Sequence, residues 1–238
     1  MTPKAAQTDV IVLCGGLGTR LRDVLDGKPK PMATVEAKPF LEILVERVAQ
    51  QGFKRFILCV GYQAEEIEKY FHDGGGRTFL FSREDAPLGT AGALKLCEPL
   101  RRSEVSLVMN GDSFCDLDST LLLERHAVLG GCGTIAVAPS GGRADGGVVE
   151  FGADGRIAAF REKSPGDAAY INAGVYALAG RAFAEIPPDR PCSLEREIFP
   201  ALISSGLYAY PVSAPLYDIG TPERLEYFRR LYAGFKPR

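Results

Sequence analysis

The sequence lacks the features that would assign it to a membrane, to secretion or to nucleic acid. No apolar run in its 238 residues approaches the length of a membrane span. The first residues are polar and lack the apolar core of a signal peptide. The formal net charge is -2, which gives no electrostatic case for a nucleic-acid partner. We therefore expect a cytoplasmic protein with no membrane and no nucleic acid among its partners.

Cysteine and histidine show no metal-binding pattern. The six cysteines are scattered without the short spacings of a zinc site, and Cys14 and Cys59 lie in strand-like apolar runs. His72 and His126 sit in helical patterns without a partner motif, which predicts structural or exposed roles. We expect buried, reduced thiols with no disulfide and no structural zinc.

Strand-like and helical patterns alternate over the first half of the chain. Hydrophobic residues make up 46% of the sequence and charged residues 24%, as in ordinary globular proteins. The spacing of apolar residues predicts helices over Phe40–Val48 and Ala64–Phe71 and strands over Phe56–Val60 and Thr78–Phe81. Such alternation indicates a parallel sheet with helices on both faces and a ligand at the carboxyl ends of its strands.

The pattern changes after Gly131. Four strand-like stretches separated by short turns follow, over Thr134–Ala138, Gly147–Phe151, Arg156–Phe160 and Tyr170–Leu178. They predict that the sheet becomes mixed and that a smaller β region flanks the first half. We expect one domain, 1–238, with halves of about 8–130 and 131–238.

A glycine-rich turn follows the first strand-like run. Cys14-Gly15-Gly16-Leu17-Gly18-Thr19-Arg20-Leu21 is closed by Pro29-Lys30-Pro31. Glycines let backbone N–H groups converge on a phosphate chain, while Arg20 and Lys30 add positive charge. No Gly-Lys-Ser/Thr ends the turn, so it is not a Walker A loop. The pattern indicates a nucleoside triphosphate site; the alternative is a structural turn with a surface arginine and lysine.

This loop resembles the signature of the sugar-1-phosphate nucleotidyltransferases. Four more motifs stand in the family's order, at Glu84–Ala91, Asn110–Asp112, Glu162–Pro165 and Asp218–Pro222. The resemblance runs from Asp9 to about Phe228. It implies a Rossmann-like mixed, mostly parallel sheet flanked by helices, a GT-A-like fold with a small β-rich sugar-binding region after the nucleotide-binding half. Within the family, the chain is similar to the D-glycero-α-D-manno-heptose 1-phosphate guanylyltransferases.

Glu84 stands where the family's base-reading side chain would be. An ionised carboxylate only accepts hydrogen bonds, and guanine offers two parallel donors, its ring N–H and its exocyclic amine. Uracil and thymine present a carbonyl beside their N–H. The residue therefore favours GTP; the alternative is a solvated loop acid. A helix is predicted to follow, over Ala93–Leu100.

Two aspartates are candidate ligands of Mg²⁺. The apolar stretch within Val105–Asp112 predicts a fourth strand that brings Asp112 to the same carboxyl edge, and Mg²⁺ usually takes one or two carboxylates plus phosphate oxygens. The resemblance implies Asp218 as the second ligand. Asp118 is interpreted as a helix cap, and Ser193 as the cap of a scaffold helix.

The resemblance also implies roles for individual residues. Catalytic roles fall on Arg20, Lys30 and Asp112. Nucleotide contacts fall on Leu13, Gly15, Gly16, Gly18, Thr19, Glu84, Pro87, Gly89 and Thr90. Sugar-phosphate contacts fall on Gly147, Glu162, Lys163, Asn172 and Gly174.

The activity implied is transfer of GMP from GTP to a sugar 1-phosphate with Mg²⁺ as cofactor. The product would be a GDP-sugar for surface polysaccharide, with heptose carried by resemblance alone. Mannose 1-phosphate guanylyl transfer, uridylyl transfer to another sugar, and a non-catalytic nucleotide-binding regulator stay open. The oligomeric state is open too, a homo-oligomer included.

Overall fold

A computed structural model describes residues 4–16, 18–21, 24–25, 27–141, 147–161, 169–188 and 190–234. Glu162 and Lys163, which were predicted to bind the sugar phosphate, lie outside the described residues. No helix in the part of the chain that the structure describes is long and apolar enough to cross a membrane.

Strands and helices alternate through the first half of the chain and strands dominate the middle. The strands are β1 (Asp9–Leu13), β2 (Thr34–Val35), β3 (Lys38–Pro39), β4 (Arg55–Val60), β5 (Thr78–Arg83), β6 (Val105–Asn110), β7 (Ser113–Cys115), β8 (Gly133–Pro139), β9 (Val148–Phe151), β10 (Ile157–Arg161), β11 (Tyr170–Ala179), β12 (Leu207–Pro211) and β13 (Leu216–Asp218). The α-helices are α1 (Phe40–Ala49), α2 (Ala64–Phe71), α3 (Gly89–Cys97), α4 (Ser119–Leu129), α5 (Gly180–Ala184), α6 (Phe199–Leu202) and α7 (Pro222–Gly234).

A nine-stranded mixed sheet joins both halves of the chain. Its main order is β10-β9-β11-β6-β1-β4-β5, and β8 pairs with both β11 and β12. The strands β6, β1, β4 and β5 are parallel, whereas β11 runs antiparallel to β6 and β8. The predicted mixed sheet flanked by helices is confirmed. The carboxyl ends of the four parallel strands therefore meet at one edge.

Helices cover both faces of this sheet, which explains why β1 is apolar from Val10 onwards. Val10 and Val12 belong to the core cluster that contains Phe40 of α1. Ile11 belongs to the opposite cluster, with Leu94 of α3. All five side chains are fully buried, and burial of each stabilises the fold by about 1.5–3 kcal/mol. The central strand is thus fixed from two sides.

One helix begins earlier than predicted. The sequence pattern placed it over Ala93–Leu100, but α3 begins at Gly89 and a 3₁₀ turn covers its predicted end. Gly89 has φ +72°, a conformation that glycine adopts at little cost. The carbonyl of Cys192 accepts the Ala91 N–H at 2.9 Å and caps the new first turn. A partner about a hundred residues away therefore moves this boundary.

The smaller local predictions agree with the structure. The side chain of Asp118 accepts hydrogen bonds from the first turn of α4 and caps it. All six cysteines are buried free thiols. His126 is buried with Nδ1 3.0 Å from the Thr134 hydroxyl oxygen, and burial lowers the pKa of its imidazole to about 4. That histidine is neutral at physiological pH and structural.

Candidate active site

The ends of β1 and β6 meet where two predicted motifs begin. The Gly111 N–H donates to the Leu13 carbonyl at 2.9 Å. A Cβ added to Gly111 would lie 2.7 Å from that same oxygen, so only glycine allows this approach. The glycine loop after β1 and the aspartate after β6 are consequently held at one edge of the sheet.

A cleft of about 270 Å³ opens at this edge. It is lined by Leu13, Cys14, Gly15, Gly16, Lys30, Pro31, Glu84, Pro87, Gly89, Thr90, Ala93, Asn110 and Asp112. Most of the predicted nucleotide-binding residues are in this lining, together with Lys30 and Asp112. The sequence analysis assigned no role to Cys14, Ala93 or Asn110. For Cys14 and Asn110, the position at or directly after a strand end is the signal that could have found them, whereas Ala93 lies inside α3.

Lys30 and Asp112 form an ion pair inside the cleft. The Lys30 ammonium nitrogen lies 2.5 Å from Asp112 Oδ2. Gly18 has φ +57°, and a Cβ there would lie 2.9 Å from Lys30 Cβ, so the glycine loop packs directly on the lysine stem. The lysine side chain is only 16% exposed. Its charge is therefore fixed beside the loop, as the Pro-Lys-Pro frame predicted, and is neutralised by the carboxylate.

Arg20 lies apart from the cleft lining. It sits on a 3₁₀ turn over Thr19–Leu21 and is exposed, as is Thr19. Arg20 makes no hydrogen bond or ion pair with any residue that the structure describes. Within the described ranges it therefore has no anionic partner, and its predicted contact with phosphate requires the side chain to reach inward.

Glu84 is held half-buried at the other side of the cleft. Its N–H donates to the Val60 carbonyl at 2.9 Å, and its Oε2 accepts the Leu88 N–H at 3.0 Å. A Cβ added to Gly15 or Gly61 would lie 2.4 or 2.7 Å from Glu84 Oε1. Burial raises the pKa of this carboxyl, and the Leu88 hydrogen bond acts in the opposite direction. Two glycines therefore make room for one acidic side chain beside the cleft, which argues against a solvated loop acid.

Thr90 is tied to a distant segment that the sequence analysis interpreted only as scaffold. Its hydroxyl donates to Glu195 Oε2 at 2.9 Å and accepts the Leu194 N–H at 2.8 Å. That segment begins a π-helical turn, Leu194–Ile198, with Ser193 as its N-cap. A π turn often marks a functional site. The Thr90 hydroxyl thus anchors the Pro87–Thr90 loop, with its proton already committed to Glu195.

The two predicted metal ligands come together through strand pairing. Asp218 lies opposite Ser113 where β13 pairs with β7, and the Ile219 N–H donates to the Asp112 carbonyl at 3.0 Å. Asp218 Oδ1 accepts the Gly220 N–H at 2.8 Å and lies 3.2 Å from the Arg224 guanidinium. The described residues contain no group of three or more His, Cys, Asp or Glu that could hold a metal. Strand pairing thus brings the backbones of Asp112 and Asp218 together, and one or two carboxylates are what Mg²⁺ usually takes from a protein, with phosphate and water as its other ligands.

Three predicted sugar-binding residues lie together beside the cleft rather than in its lining. The Gly147 carbonyl accepts the Asn172 N–H at 2.9 Å. Asn172 Oδ1 accepts the Gly174 N–H at 2.9 Å, and its Nδ2 donates to the Tyr176 hydroxyl at 3.0 Å. Gly174 has φ +72°, and the pairing of β11 with β8 shifts register across this stretch. The middle of β11, the strand that pairs with β6, is therefore locally irregular.

The fold is that of an α/β protein with a cleft at the carboxyl ends of its parallel strands. The profile of the Nucleotidyl transferase family matches residues 9–232, and the chain belongs to that family. The family membership predicted from the motifs is confirmed.

Individual relatives refine this placement. The D-glycero-alpha-D-manno-heptose 1-phosphate guanylyltransferase of Aneurinibacillus thermoaerophilus is 34% identical over 90% of this chain and 94% of that protein. The Mannose-1-phosphate guanylyltransferase of Mycobacterium tuberculosis is 36% identical over 91% of this chain, which spans 62% of that protein. The crystal structure of HddC from Yersinia pseudotuberculosis complexed with GMP-PN has a TM-score of 0.84 at 31% identity and covers 94% of this chain and 99% of that one.

Proposed function

We propose that the protein transfers GMP from GTP to a sugar 1-phosphate, with D-glycero-α-D-manno-heptose 1-phosphate as the favoured acceptor. The observation that carries the proposal is the cleft, whose lining includes Glu84, Lys30 and Asp112. The heptose relative supports the sugar, because the two chains match over nearly their whole lengths. The GDP-sugar would serve surface polysaccharide synthesis in the cytoplasm.

The reaction is an in-line displacement at the α-phosphorus of GTP. An oxygen of the sugar phosphate forms the new bond, the bond from the α-phosphorus to the bridging oxygen breaks, and pyrophosphate leaves. The attacking phosphate is already ionised, so no general base is required. Catalysis then rests on positioning and on neutralisation of charge.

The cations of the site suit that task. Lys30 would exchange its ion pair with Asp112 for a phosphate oxygen when the nucleotide enters. Arg20, which has no partner among the described residues, would close on the β- and γ-phosphates and stabilise the leaving group. The backbone N–H groups of Gly15 and Gly16, which line the same cleft, would bind the phosphate chain as those of other glycine-rich loops do.

Asp112 and Asp218 would hold Mg²⁺ beside the phosphates. When bound, the ion would supply charge neutralisation at the α-phosphate. Gly147, Asn172 and Gly174, with Glu162 and Lys163, would bind the sugar phosphate.

One assay separates the candidate activities. Pyrophosphate release is measured with four nucleotides and a panel of hexose and heptose 1-phosphates. We expect the highest kcat/KM with GTP and the heptose. The 36% identical mycobacterial relative is named for mannose 1-phosphate, and highest turnover with that sugar would replace heptose in the assignment. Highest turnover with UTP would refute the assignment to guanine.

A non-catalytic nucleotide-binding regulator would give a different result. It would bind GTP in a titration but would release no pyrophosphate with any sugar phosphate. The presence of Lys30, Asp112 and Asp218 together argues against this reading, because binding alone does not require all three.

A further inference from the structure

We propose that the side-chain amide of Asn110 binds a hydroxyl group of the sugar 1-phosphate and contributes to the choice of sugar. The inference rests on the proposed function and adds a residue to it. Asn110 is the last residue of β6 and lines the cleft together with Asp112. Its Oδ1 is buried and accepts no hydrogen bond from any described residue. Such an orphaned acceptor is costly to keep and indicates a partner that arrives with a ligand.

The structure leaves space for this amide on the β11 side. A Cβ added to Gly174 would lie 3.0 Å from Asn110 Nδ2 and 3.3 Å from its Cγ. The left-handed conformation of Gly174 and the register shift in β11 bring the backbone close here. Nδ2 therefore faces β11, and Oδ1 is the end of the amide that is turned away from that strand.

Hydrogen bonds hold the part of β11 that faces Asn110. Asn172 is held by the Gly174 N–H and donates to the hydroxyl of Tyr176. Burial raises the pKa of Tyr176 well above its usual value, and hydrogen bonds from the side chains of Asn172 and Asn110 act in the opposite direction. Gly174 approaches the Nδ2 end of Asn110, and Oδ1 is the end of the amide that has no hydrogen-bond partner among the described residues.

The chemistry of Oδ1 selects the ligand group. An amide oxygen only accepts hydrogen bonds, so it cannot bind an ionised phosphate oxygen, which is also an acceptor. Three strand spacings separate β6 from β5, or roughly 14 Å at about 4.8 Å each, so Asn110 does not share a base with Glu84. A hydroxyl group fits, because it can donate a hydrogen bond to Oδ1 and is not part of the base. The sugar is favoured over the ribose because Asn110 adjoins β11, the strand of Asn172 and Gly174.

A thermodynamic cycle with monodeoxy sugar 1-phosphates tests the proposal. Asn110→Ala should lower kcat/KM for the full sugar phosphate by about 2- to 13-fold, the loss of roughly one hydrogen bond. Its dissociation constant for GTP should stay unchanged. For one monodeoxy analogue, the wild-type enzyme should show the same reduced kcat/KM, and Asn110→Ala should then cost nothing more.

Ser106→Ala is the matched control, since it removes another polar group from β6 far from the cleft and should lower no sugar's kcat/KM. Asn110→Ser replaces the alanine variant if thermal unfolding shows that alanine does not fold.

Additive losses with every monodeoxy sugar would overturn the inference. Non-additivity only with 2′- or 3′-deoxy-GTP would also overturn it, by assigning the amide to the ribose. If the wild-type protein releases no pyrophosphate with any substrate pair, the proposed function fails instead, so the two failures are distinguishable.

Discussion

Replacement of Glu84 by glutamine tests which group reads the base. The change keeps the shape of the side chain and turns one acceptor into a donor. The Leu88 N–H already uses part of Oε2, and Oε1 lies against the two glycines 15 and 61. Guanine's two N–H donors would therefore compete for a small number of remaining lone pairs. An amide NH₂ in that place would oppose one of these donors.

The expected magnitude follows from that single mismatch. A hydrogen bond to a charged group contributes about 1.5–3 kcal/mol, which corresponds to about 10- to 150-fold. We expect Glu84→Gln to lower kcat/KM for GTP by about that factor and to narrow the gap to UTP. The assay is competition between both nucleotides, with the two products separated and quantified. Asp85→Asn is the matched control, because it makes the same change on an exposed neighbour outside the cleft lining.

The same variant, which should be less active with GTP, should be more stable than the wild type at neutral pH. Burial raises the pKa of Glu84, so the native state binds this proton more tightly than the unfolded chain. The corresponding stability is present at acidic pH and is lost as the pH rises through the native-state pKa. Without nucleotide, the Tm of Glu84→Gln minus the Tm of the wild type should therefore be larger at about pH 8 than at about pH 5. In the competition assay, an unchanged GTP:UTP ratio would show that backbone groups of the Pro87–Thr90 loop read the base. In thermal unfolding, an equal Tm difference between variant and wild type at both pH values would show that the carboxylate is well solvated.

Four further variants test other parts of the site. Asp112→Asn and Asp218→Asn should each cut turnover at least about 100-fold with the fold intact by circular dichroism, since the metal contributes several kcal/mol; near-normal turnover in both would remove them from the metal site. Arg20→Ala should lower kcat about tenfold or more while the sugar's KM is unchanged, because its charge acts on the leaving group; a change in the sugar's KM alone would assign the loop to the other substrate. Thr90→Val removes two hydrogen bonds to the segment of Glu195 and should lower stability by about 1–3 kcal/mol and raise the KM for GTP; an unchanged Tm in thermal unfolding would show that this anchor is dispensable.

The parts of the site that the sequence predicted are those that depend on local pattern. Glu84 directly follows β5, Asp112 comes just after β6, and strands of a parallel sheet bring their carboxyl ends to one edge. The position of Lys30 between two prolines likewise fixed its place next to the loop. The alternation of strands and helices therefore predicted most of the cleft, and the family motifs predicted the rest.

The parts that it did not predict depend on contacts between distant residues. The Lys30–Asp112 ion pair joins residues 82 apart, and the Thr90–Glu195 hydrogen bond joins residues 105 apart. The earlier start of α3 has the same origin, because its cap is the carbonyl of Cys192. No periodicity or capping rule encodes a partner at that separation, and the capping pattern at Ser193 gave no sign of the loop that it anchors.

The order of strands explains why one edge can serve two substrates. From β5 through β4, β1 and β6 to β11, the sheet presents in turn Glu84, the glycine loop, Asp112 and Asn172. In the proposed reaction, the base, the phosphate chain, the metal and the sugar lie along the same line. The direction of the strands reverses between β6 and β11. The parallel strands end in loops at the cleft, whereas β11 extends past the end of β6 there. The reacting phosphates would then lie at that reversal, where Asp112 and Asn110 stand between the two halves, and substitutions on either side of it should affect one substrate without the other.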